Sequence, residues 1–308
     1  MRVALLSGGS GGAKLARGLL EVVGPDRLTV IANTADDAEL YGVHVSPDPD
    51  LVTYWLADTI DGRGYGIRGD TWEVMDALEA AGRPVWFRLG DRDLAMCLIR
   101  TELLAAGERL TDAHAAVALA AGVSALVLPM SDAPVRTHVT ARGRTLPFQE
   151  FMVAERAQGP VDRVEYTGID QARPTQEALL AIAAADVVVI GPSNPVVSIG
   201  PILALPGMRE ALARASAPVV AVSPFVGGRV LKGPTALFCE HAGIPLEAAG
   251  LPDAYPGLLD GVVADEPLSG LPARVADTLM SSLERQRRVA TVTLDFAASL
   301  TAARPDSA

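Results

Sequence analysis

The feature that most constrains the fold of this chain is its first fourteen residues, MRVALLSGGSGGAK, in which an apolar strand leads directly into four glycines. A helical pattern of apolar residues follows them. Glycines at such a junction let the backbone approach a ligand closely, and the free N–H groups at a helix start attract anions. The pattern predicts a strand–loop–helix unit that binds a phosphate through Gly8, Gly9, Gly11, Gly12 and Lys14.

The loop does not match either standard nucleotide fingerprint. A P-loop would have glycine where Ala13 stands and Ser or Thr where Leu15 stands, and a dinucleotide loop would have glycine in place of Lys14. The loop therefore indicates a phosphate but leaves open which molecule carries it. An NAD-dependent oxidoreductase is disfavoured because the glycine spacing is wrong for it.

Strands and helices alternate along most of the chain. Strand 2–6, helix 13–23 and strand 28–31 form a βαβ unit, and apolar strands recur at 184–190, 218–222 and 261–264, before a long helix at 272–289. Such alternation is typical of parallel sheets. The sequence predicts an α/β fold, with a Rossmann-like parallel sheet and helices on both of its faces.

The middle of the chain departs from this alternation, with several helical stretches and a β-hairpin at 134–148. We expect a single domain over residues 1–300. Residues 1–46 and 174–300 form its Rossmann-like core, and residues 47–173 form a mixed helical and β-hairpin insertion that binds substrate over the ligand edge of the sheet. Residues 301–308 are predicted to be a flexible tail.

Composition excludes several classes of partner. The 308 residues carry a formal net charge of −11, which argues against a nucleic-acid surface. The apolar runs are too short to span a membrane, so we expect a cytoplasmic protein without a membrane partner. Cys97 and Cys239 are far apart and are predicted to be free thiols. A homodimer is expected, as the commonest assembly of such proteins.

Four aspartates follow the second strand, at positions 36, 37, 48 and 50. Carboxylates near a phosphate site hold Mg²⁺ or accept hydrogen bonds from ligand hydroxyls. We predict that Asp36, Asp37 and Asp50 are catalytic and that Asp48 and Asp50 bind Mg²⁺. The alternative for any one of them is helix capping, as by Asp50 ahead of a helix that begins at Leu51.

Polar loops follow the later strands. Residues 191–200 (GPSNPVVSIG) offer Ser193, Asn194 and Ser198, and residues 223–234 offer Lys232. Because ligands bind at the carboxyl ends of the strands in open α/β sheets, these four residues are predicted to contact a nucleotide or its phosphates. An exposed turn lysine is the alternative for Lys232.

A charged segment, WFRLGDRDLA, occupies residues 86–95. Arginine beside carboxylates in a half-buried loop suits a phosphate or a polar ring edge, so Arg88 is predicted to contact a ligand. The alternative for Asp91 is that it caps the helix starting at Arg92.

Together these segments resemble the 2-phospho-L-lactate transferase (CofD-like) family of coenzyme F-420 biosynthesis, including its actinobacterial phosphoenolpyruvate transferase branch. The resemblance runs in order through residues 7–15, 33–37, 46–50, 89–95, 100–101, 128–132, 148–151, 191–203 and 222–234. It implies transfer of a phospho-three-carbon acid from a guanosine-diphosphate-linked donor to the terminal hydroxyl of a deazaflavin, 7,8-didemethyl-8-hydroxy-5-deazariboflavin. It also implies release of GMP and a requirement for Mg²⁺.

Residue by residue, the resemblance implies that Asp50 and Arg88 contact the deazaflavin and that the glycine loop, Asn194 and Lys232 hold the guanosine diphosphate. Cys97 stands where family members often have histidine. The alternative function is a nucleotide-sugar-binding regulatory protein of the same superfamily, without catalysis. The sequence does not decide which three-carbon acid the donor carries.

Overall fold

The centre of the computed structural model, which describes residues 1–230 and 233–303, is a seven-stranded sheet. The strands of the described residues are β1 Val3–Ser7, β2 Leu28–Ala32, β3 Ala38–Leu40, β4 Val43–Val45, β5 Leu126–Pro129, β6 Arg136–Ala141, β7 Arg144–Pro147, β8 Val161–Thr167, β9 Val187–Ile190, β10 Val219–Val222, β11 Phe225–Val226, β12 Arg229–Val230, β13 Gly261–Ala264 and β14 Ala273–Val275. The central order is β14-β13-β10-β9-β1-β2-β5, and every neighbouring pair is parallel.

The α-helices connect these strands and cover the sheet. They are α1 Gly9–Val23, α2 Pro47–Leu56, α3 Glu73–Ala80, α4 Asp91–Ala105, α5 Leu110–Ala120, α6 Gln176–Ala184, α7 Gly200–Ala204, α8 Met208–Arg214, α9 Thr235–Ala242, α10 Leu251–Ala254 and α11 Leu283–Ala303. Smaller antiparallel sheets pair β3 with β4, β11 with β12, and β6 with both β7 and β8.

Both faces of the central sheet are buried because its strands are apolar on both sides. Val3 and Leu5 of β1 pack into a core with α1, α2, α5 and α11, whereas Ala4 and Leu6 pack into a second core with α6, α7, α8 and α10. Parallel sheets are covered in this way because their crossover helices lie on the faces. The predicted Rossmann-like α/β fold is confirmed.

Parts of the predicted insertion, 47–173, belong to the Rossmann-like core, so the boundaries of the insertion need correction. β5 lies inside it, yet pairs with β2 as the edge strand of the central sheet. α2 and α5 also pack against that sheet. A four-residue strand leaves a weak periodic signal, which is why the sequence did not reveal β5. The predicted hairpin is confirmed as β6 and β7, and β8 extends it.

Three predicted segments have different boundaries in the structure. The glycine loop is helical from Gly9 onward, so α1 begins four residues before the predicted position. The long helix predicted at 272–289 is present but displaced: residues 273–275 pair with β13, and the helix runs from Leu283 to Ala303. Of the predicted flexible tail, residues 301–303 complete α11, and residues 304–308 lie outside the described part of the chain.

Residues 195–214 change direction sharply. Pro195–Ile199 forms a π-helical turn, α7 and α8 follow it, and Ile202 and Met208 pack against the sheet. Within the described residues, no single helix has both the length and the apolar character to cross a membrane. Pro195–Ala204 and Met208–Arg214 meet that test only as a pair, which is bent by 83°.

Candidate active site

A cavity of about 520 Å³ lies at the carboxyl edge of the central sheet. Segments that are far apart in sequence meet there because parallel strands end at one edge. Its lining includes most of the residues predicted to bind phosphate or nucleotide, namely Gly8, Gly9, Gly11, Lys14, Ser193, Asn194 and Ser198. Lys232 lies outside the described residues.

The glycines allow the loop to pack tightly against the segment that follows β9. A Cβ on Gly11 would lie 1.9 Å from the carbonyl oxygen of Pro192, and a Cβ on Gly8 would lie 2.6 Å from the Cβ of Ser198. Gly12 lies behind the cavity, where a Cβ would come within 2.3 Å of the Ser7 hydroxyl. The glycines are therefore needed for close approach of two backbones, in addition to any ligand contact.

The N–H groups of the loop are divided between protein and cavity. The Gly8 N–H donates to Ser193 Oγ (3.2 Å), and the Gly9 N–H donates to Asp48 Oδ1 (2.6 Å). Ser10 and Gly11 come next in the first turn of α1 and line the cavity. Amides in a first helical turn lack intrahelical acceptors and favour anions, so this end of α1 suits a phosphate.

Asp36 and Asp48 line the cavity and are almost fully buried. Burial, followed by the charges of Asp48 and Asp37, raises the pKa of Asp36 well above its usual range, although Asn33 lowers it. Burial raises the pKa of Asp48 to about 6, against hydrogen bonds from Asn33 and Gly9. Burial disfavours the charged form of both carboxylates, and within residues 1–230 and 233–303 neither of them forms an ion pair.

The residues present at this pair fit a Mg²⁺ ion. Asp36 Oδ1 is buried and has no hydrogen-bond partner within the described residues, whereas buried polar atoms normally have one. Mg²⁺ prefers carboxylate oxygens together with substrate phosphates. Asp36 and Asp48 would hold such an ion at the wall that they share with the glycine loop.

A smaller cavity of about 230 Å³ adjoins the first, because Asp36, Phe148 and Gln149 line both. Its other walls combine aromatic, charged and polar side chains, among them Asp37, Glu39, Trp86, Arg136 and His138. The Gln149 side-chain amide donates to the carbonyl oxygen of Asp36 (3.1 Å), which fixes the junction between the two cavities.

Asp37 is held at the wall of the smaller cavity by neighbouring side chains. His44 Nε2 lies 3.0 Å from Asp37 Oδ2, and the Ser46 hydroxyl donates to Asp37 Oδ1 (2.8 Å). The other ring nitrogen of His44 lies 2.6 Å from Glu39 Oε1. Burial lowers the pKa of His44, but its interactions with Asp37 and Glu39 outweigh burial and raise it. Asp37 is thus held in position by His44 and Ser46.

Asp50, predicted to be catalytic and to bind Mg²⁺, is not among the residues that line either cavity. It is 4% exposed and forms an ion pair with Arg100, which is completely buried. Arg100 also donates to the carbonyl oxygen of His44 (3.2 Å), and its Nη2 lies 3.4 Å from His114 Nδ1. Asp50 is also inside the first turn of α2 and does not precede the helix, so the capping alternative for it is wrong.

Cys97 and Asp93 lie beside this ion pair. Acceptor atoms of Asp50, Asp93 and Cys97 come within 4.8 Å of one another. Burial and the charge of Asp50 raise the pKa of Asp93 to about 7, and burial likewise raises the pKa of the Cys97 thiol. The cation that compensates this group is Arg100, so the group resembles a buried ion-pair network more than a metal site.

Arg88 lies at the protein surface. It forms ion pairs with Asp76 and Glu79 of α3, the latter at 3.2 Å, and its guanidinium lies 5.6 Å from the centre of the Trp72 ring. The structure does not test its predicted contact with a deazaflavin. Trp86, two residues earlier, is the member of this segment that lines the smaller cavity.

Asp91 caps a different helix from the predicted one. Its carboxylate accepts hydrogen bonds from the N–H groups of Glu73 and Val74 (both 3.0 Å), at the start of α3. Asp70 in turn accepts from the N–H groups of Arg92 and Asp93 at the start of α4 (2.9 and 3.1 Å). The two aspartates therefore fix the helix pair α3 and α4 to each other.

Sequence reasoning did not assign several residues of the site to roles. Asn33 donates to Asp48 Oδ2 (2.9 Å) and so positions a predicted metal ligand. Its place directly after β2, before two aspartates, was the signal that could have found it. Phe148 and Gln149 had only the resemblance to indicate them. Residues 278–281 line the larger cavity from a segment predicted to be helical, and the sequence carries no signal for them.

Comparison with protein families gives one match along nearly the whole chain. The model of the family described as 2-phospho-L-lactate transferase CofD matches residues 3–298. The chain is 40% identical to a phosphoenolpyruvate transferase of Kitasatospora aureofaciens, covering 96% of this chain and 98% of that protein. It is 39% identical to a 2-phospho-L-lactate transferase of Methanosarcina acetivorans, covering 93% and 96%.

A solved structure supports the same fold. The crystal structure of a UPF0052 family member from Bacillus halodurans superposes with a TM-score of 0.61 and covers 95% of this chain and 98% of its own. The two sequences are 19% identical. At this identity the likeness shows a common architecture, and function is argued from the site.

Proposed function

This chain belongs to the 2-phospho-L-lactate transferase CofD family, and from that membership we propose the reaction that it catalyses. The enzyme transfers a phosphoenolpyruvyl or 2-phospho-L-lactyl group from a guanosine-diphosphate-linked donor to the terminal hydroxyl of 7,8-didemethyl-8-hydroxy-5-deazariboflavin. GMP leaves, and the product enters coenzyme F-420 biosynthesis. The observation that carries this proposal is a pair of adjoining cavities that share Asp36, because a two-substrate transfer needs one site for each substrate and a point where they meet.

The larger cavity suits the donor. The first turn of α1 and Lys14 line it and favour the diphosphate. The hydroxyls of Ser193 and Ser198 supply further polar contacts. The cavity also extends across several strand ends, as an elongated nucleotide requires.

The smaller cavity suits the acceptor. Trp86 and Phe148 give it aromatic walls, and Arg136, His138 and Asp37 supply polar groups at the edges. Small-molecule sites commonly combine apolar surface with a few polar groups that fix orientation. A flat deazaflavin ring with a polar side chain matches that combination. Whether Asp50 and Arg88 also contact the acceptor stays a prediction.

The chemistry is phosphoryl transfer to an alcohol. The acceptor oxygen forms a bond to phosphorus, the phosphoanhydride bond to GMP breaks, and the hydroxyl proton must be accepted nearby. Asp37, held by His44 and Ser46 on the acceptor side, is placed to take that proton. Such reactions depend mainly on positioning and on compensation of charge. When bound by Asp36 and Asp48, Mg²⁺ would supply that compensation.

The proposal also includes the cellular location and the oligomeric state of the enzyme. We place the reaction in the cytoplasm, without nucleic-acid or membrane partners, and expect the enzyme to be a homodimer. Sedimentation of the purified protein tests the dimer directly.

The experiment that tests the function uses mass spectrometry. Purified protein is incubated with the deazaflavin, Mg²⁺ and, in turn, donors that carry a phosphoenolpyruvyl, 2-phospho-L-lactyl or phosphoglyceryl group. We expect a phosphodiester of the deazaflavin and an equal amount of GMP with at least one donor. Absence of product with all three donors would contradict the proposal. Tight binding of a UDP-sugar without binding of the deazaflavin would favour the regulatory alternative.

A further inference from the structure

One wall of the larger cavity is formed by residues to which no function has been assigned so far. Residues 278–281, between β14 and α11, form it. Thr278 is 4% exposed, and its Oγ1 has no hydrogen-bond partner within residues 1–230 and 233–303. Buried hydroxyls normally have a partner. An unpaired hydroxyl on a residue that lines a cavity therefore indicates a ligand that supplies the partner.

The segment around Thr278 is anchored on both sides. Upstream, the Ala276 N–H donates to the carbonyl oxygen of Ala264 (2.7 Å), which continues the pairing of β14 with β13. Asp277 Oδ2 pairs with Arg288 of α11 (2.6 Å). Downstream, Met280 is buried in the core beneath α1 and α11. Thr278 is therefore held in place before a ligand arrives, which lowers the entropy lost on binding.

The strand order separates the strand that precedes Thr278 from the strand that precedes Asp36. Thr278 follows β14, and Asp36 follows β2, five strand spacings away in the central sheet. At a strand spacing of ~4.8 Å, the strands β14 and β2 are about 24 Å apart. The acceptor cavity joins at Asp36, and the glycine loop and Ser193 lie between these ends. A donor with its phosphates at the loop thus has its nucleoside directed towards Thr278.

We infer that Thr278 is a specificity-determining residue whose hydroxyl hydrogen-bonds the nucleoside of the donor. A hydroxyl is both a donor and an acceptor, so it can pair with the polar groups of a ribose or a base. Pro224, Val226 and Met280 line the same cavity and give the nucleoside apolar contacts. This inference rests on the proposed function, because it takes the ligand of the larger cavity to be a nucleoside diphosphate.

The test measures GDP binding by calorimetry, without any turnover. Thr278→Val keeps the shape of the side chain but removes the hydroxyl, and it is expected to weaken GDP binding by about 5- to 10-fold. Thr278→Ser restores the hydroxyl and is expected to bind GDP like the parent protein. The matched control is Thr293→Val, which removes a buried hydroxyl of α11 that donates to the carbonyl oxygen of Val289 (2.8 Å). Urea unfolding verifies that every variant is folded.

Each outcome is decisive. GDP binding that is unchanged in Thr278→Val overturns the inference and leaves the proposed function standing. Equal weakening in Thr278→Val and Thr293→Val also overturns it, because the effect would then come from packing in the C-terminal region. If the parent protein does not bind GDP, the proposed function fails as well. Weakened GDP binding in Thr278→Val, with Thr278→Ser and Thr293→Val binding GDP like the parent protein, supports the inference.

Discussion

Asp48 and Asp50 lie in the same helical turn but in opposite electrostatic surroundings. Both belong to the first turn of α2, and two residues on a helix point to different sides because each residue turns by about 100°. Asp48 lines the larger cavity and accepts hydrogen bonds from two neutral amides, Gly9 and Asn33. Asp50 faces the buried guanidinium of Arg100.

The difference shows that buried carboxylates of one chain can have contrasting partners. The charge of Asp50 is balanced by a cation of the protein itself, and breaking such a pair is costly. Asp48 and Asp36 repel each other, and within the described residues neither of them forms an ion pair like that of Asp50 with Arg100. A site that must bind a cation and a phosphate needs carboxylates of the second kind.

The largest effect on stability is expected when the ion pair of Asp50 with Arg100 is broken. Arg100→Met leaves Asp50 buried without its partner, and the free energy of unfolding should fall by about 3–5 kcal/mol. The double variant Asp50→Leu with Arg100→Met removes both charges and should recover most of this loss. Urea unfolding measures both changes. A double variant as unstable as the single one would contradict the structural role, and lost turnover in a folded double variant would support a direct role for Asp50.

The next largest effect, on turnover, is expected at the pair of cavity carboxylates, Asp36 and Asp48. Asp36→Asn should lower turnover by about 10²- to 10³-fold, the usual cost of removing one preorganised electrostatic contribution. The free energy of unfolding should stay the same or rise, since a repulsion between buried charges is removed. The control is Asp93→Asn, which keeps an acceptor for the Tyr54 hydroxyl. Retained turnover in Asp36→Asn would contradict the account.

The pH dependence of stability separates the two kinds of carboxylate further. The pKa of Asp48 rises from 3.8 to about 6 on folding, so the folded protein binds more protons than the unfolded chain between these values. The contribution of Asp48 to stability is therefore lost as pH rises through this window. Urea unfolding from pH 4 to pH 7 should show the loss in the parent protein and a smaller one in Asp48→Asn. Equal pH profiles would contradict this prediction.

The smallest effect is expected at Arg88, the exposed counterpart of Arg100. Its ion pairs with Asp76 and Glu79 are at the surface, so Arg88→Ala should lower the free energy of unfolding by at most about 1 kcal/mol. The KM for the deazaflavin in the same variant tests the predicted ligand contact. A large loss of stability would show that the surface pairs matter more than their exposure implies.

The sequence predicted the parts of the fold that follow from local pattern. The βαβ start, the alternation of strands and helices and the glycine-rich junction between β1 and α1 all come from residues close together in sequence. β5 and the segment at 276–282 did not, because a short strand and an irregular turn are decided by what they pair with in space. The start of the helix predicted at 272–289 was misplaced for this reason.

The sequence predicted which residues belong to the candidate site better than it predicted their partners in space. Asp36, Asp37, Asp48 and Asp50 have similar sequence surroundings, and only the fold shows that Arg100, fifty residues downstream of Asp50, balances one of them. Asn33 and Thr278 are polar residues of ordinary type. Their importance arises from a carboxylate partner in one case and from the lack of a partner among the described residues in the other.

The central proposal is that Asp36 and Asp48, and not the group around Asp50, bind the divalent cation. Mn²⁺ binding, followed by electron paramagnetic resonance as a substitute for Mg²⁺, tests it most directly. We expect Asp36→Asn and Asp48→Asn to weaken Mn²⁺ binding by at least about 10-fold, while Asp93→Asn binds like the parent protein. Undiminished binding in both cavity variants, or a loss confined to Asp93→Asn, would contradict the account.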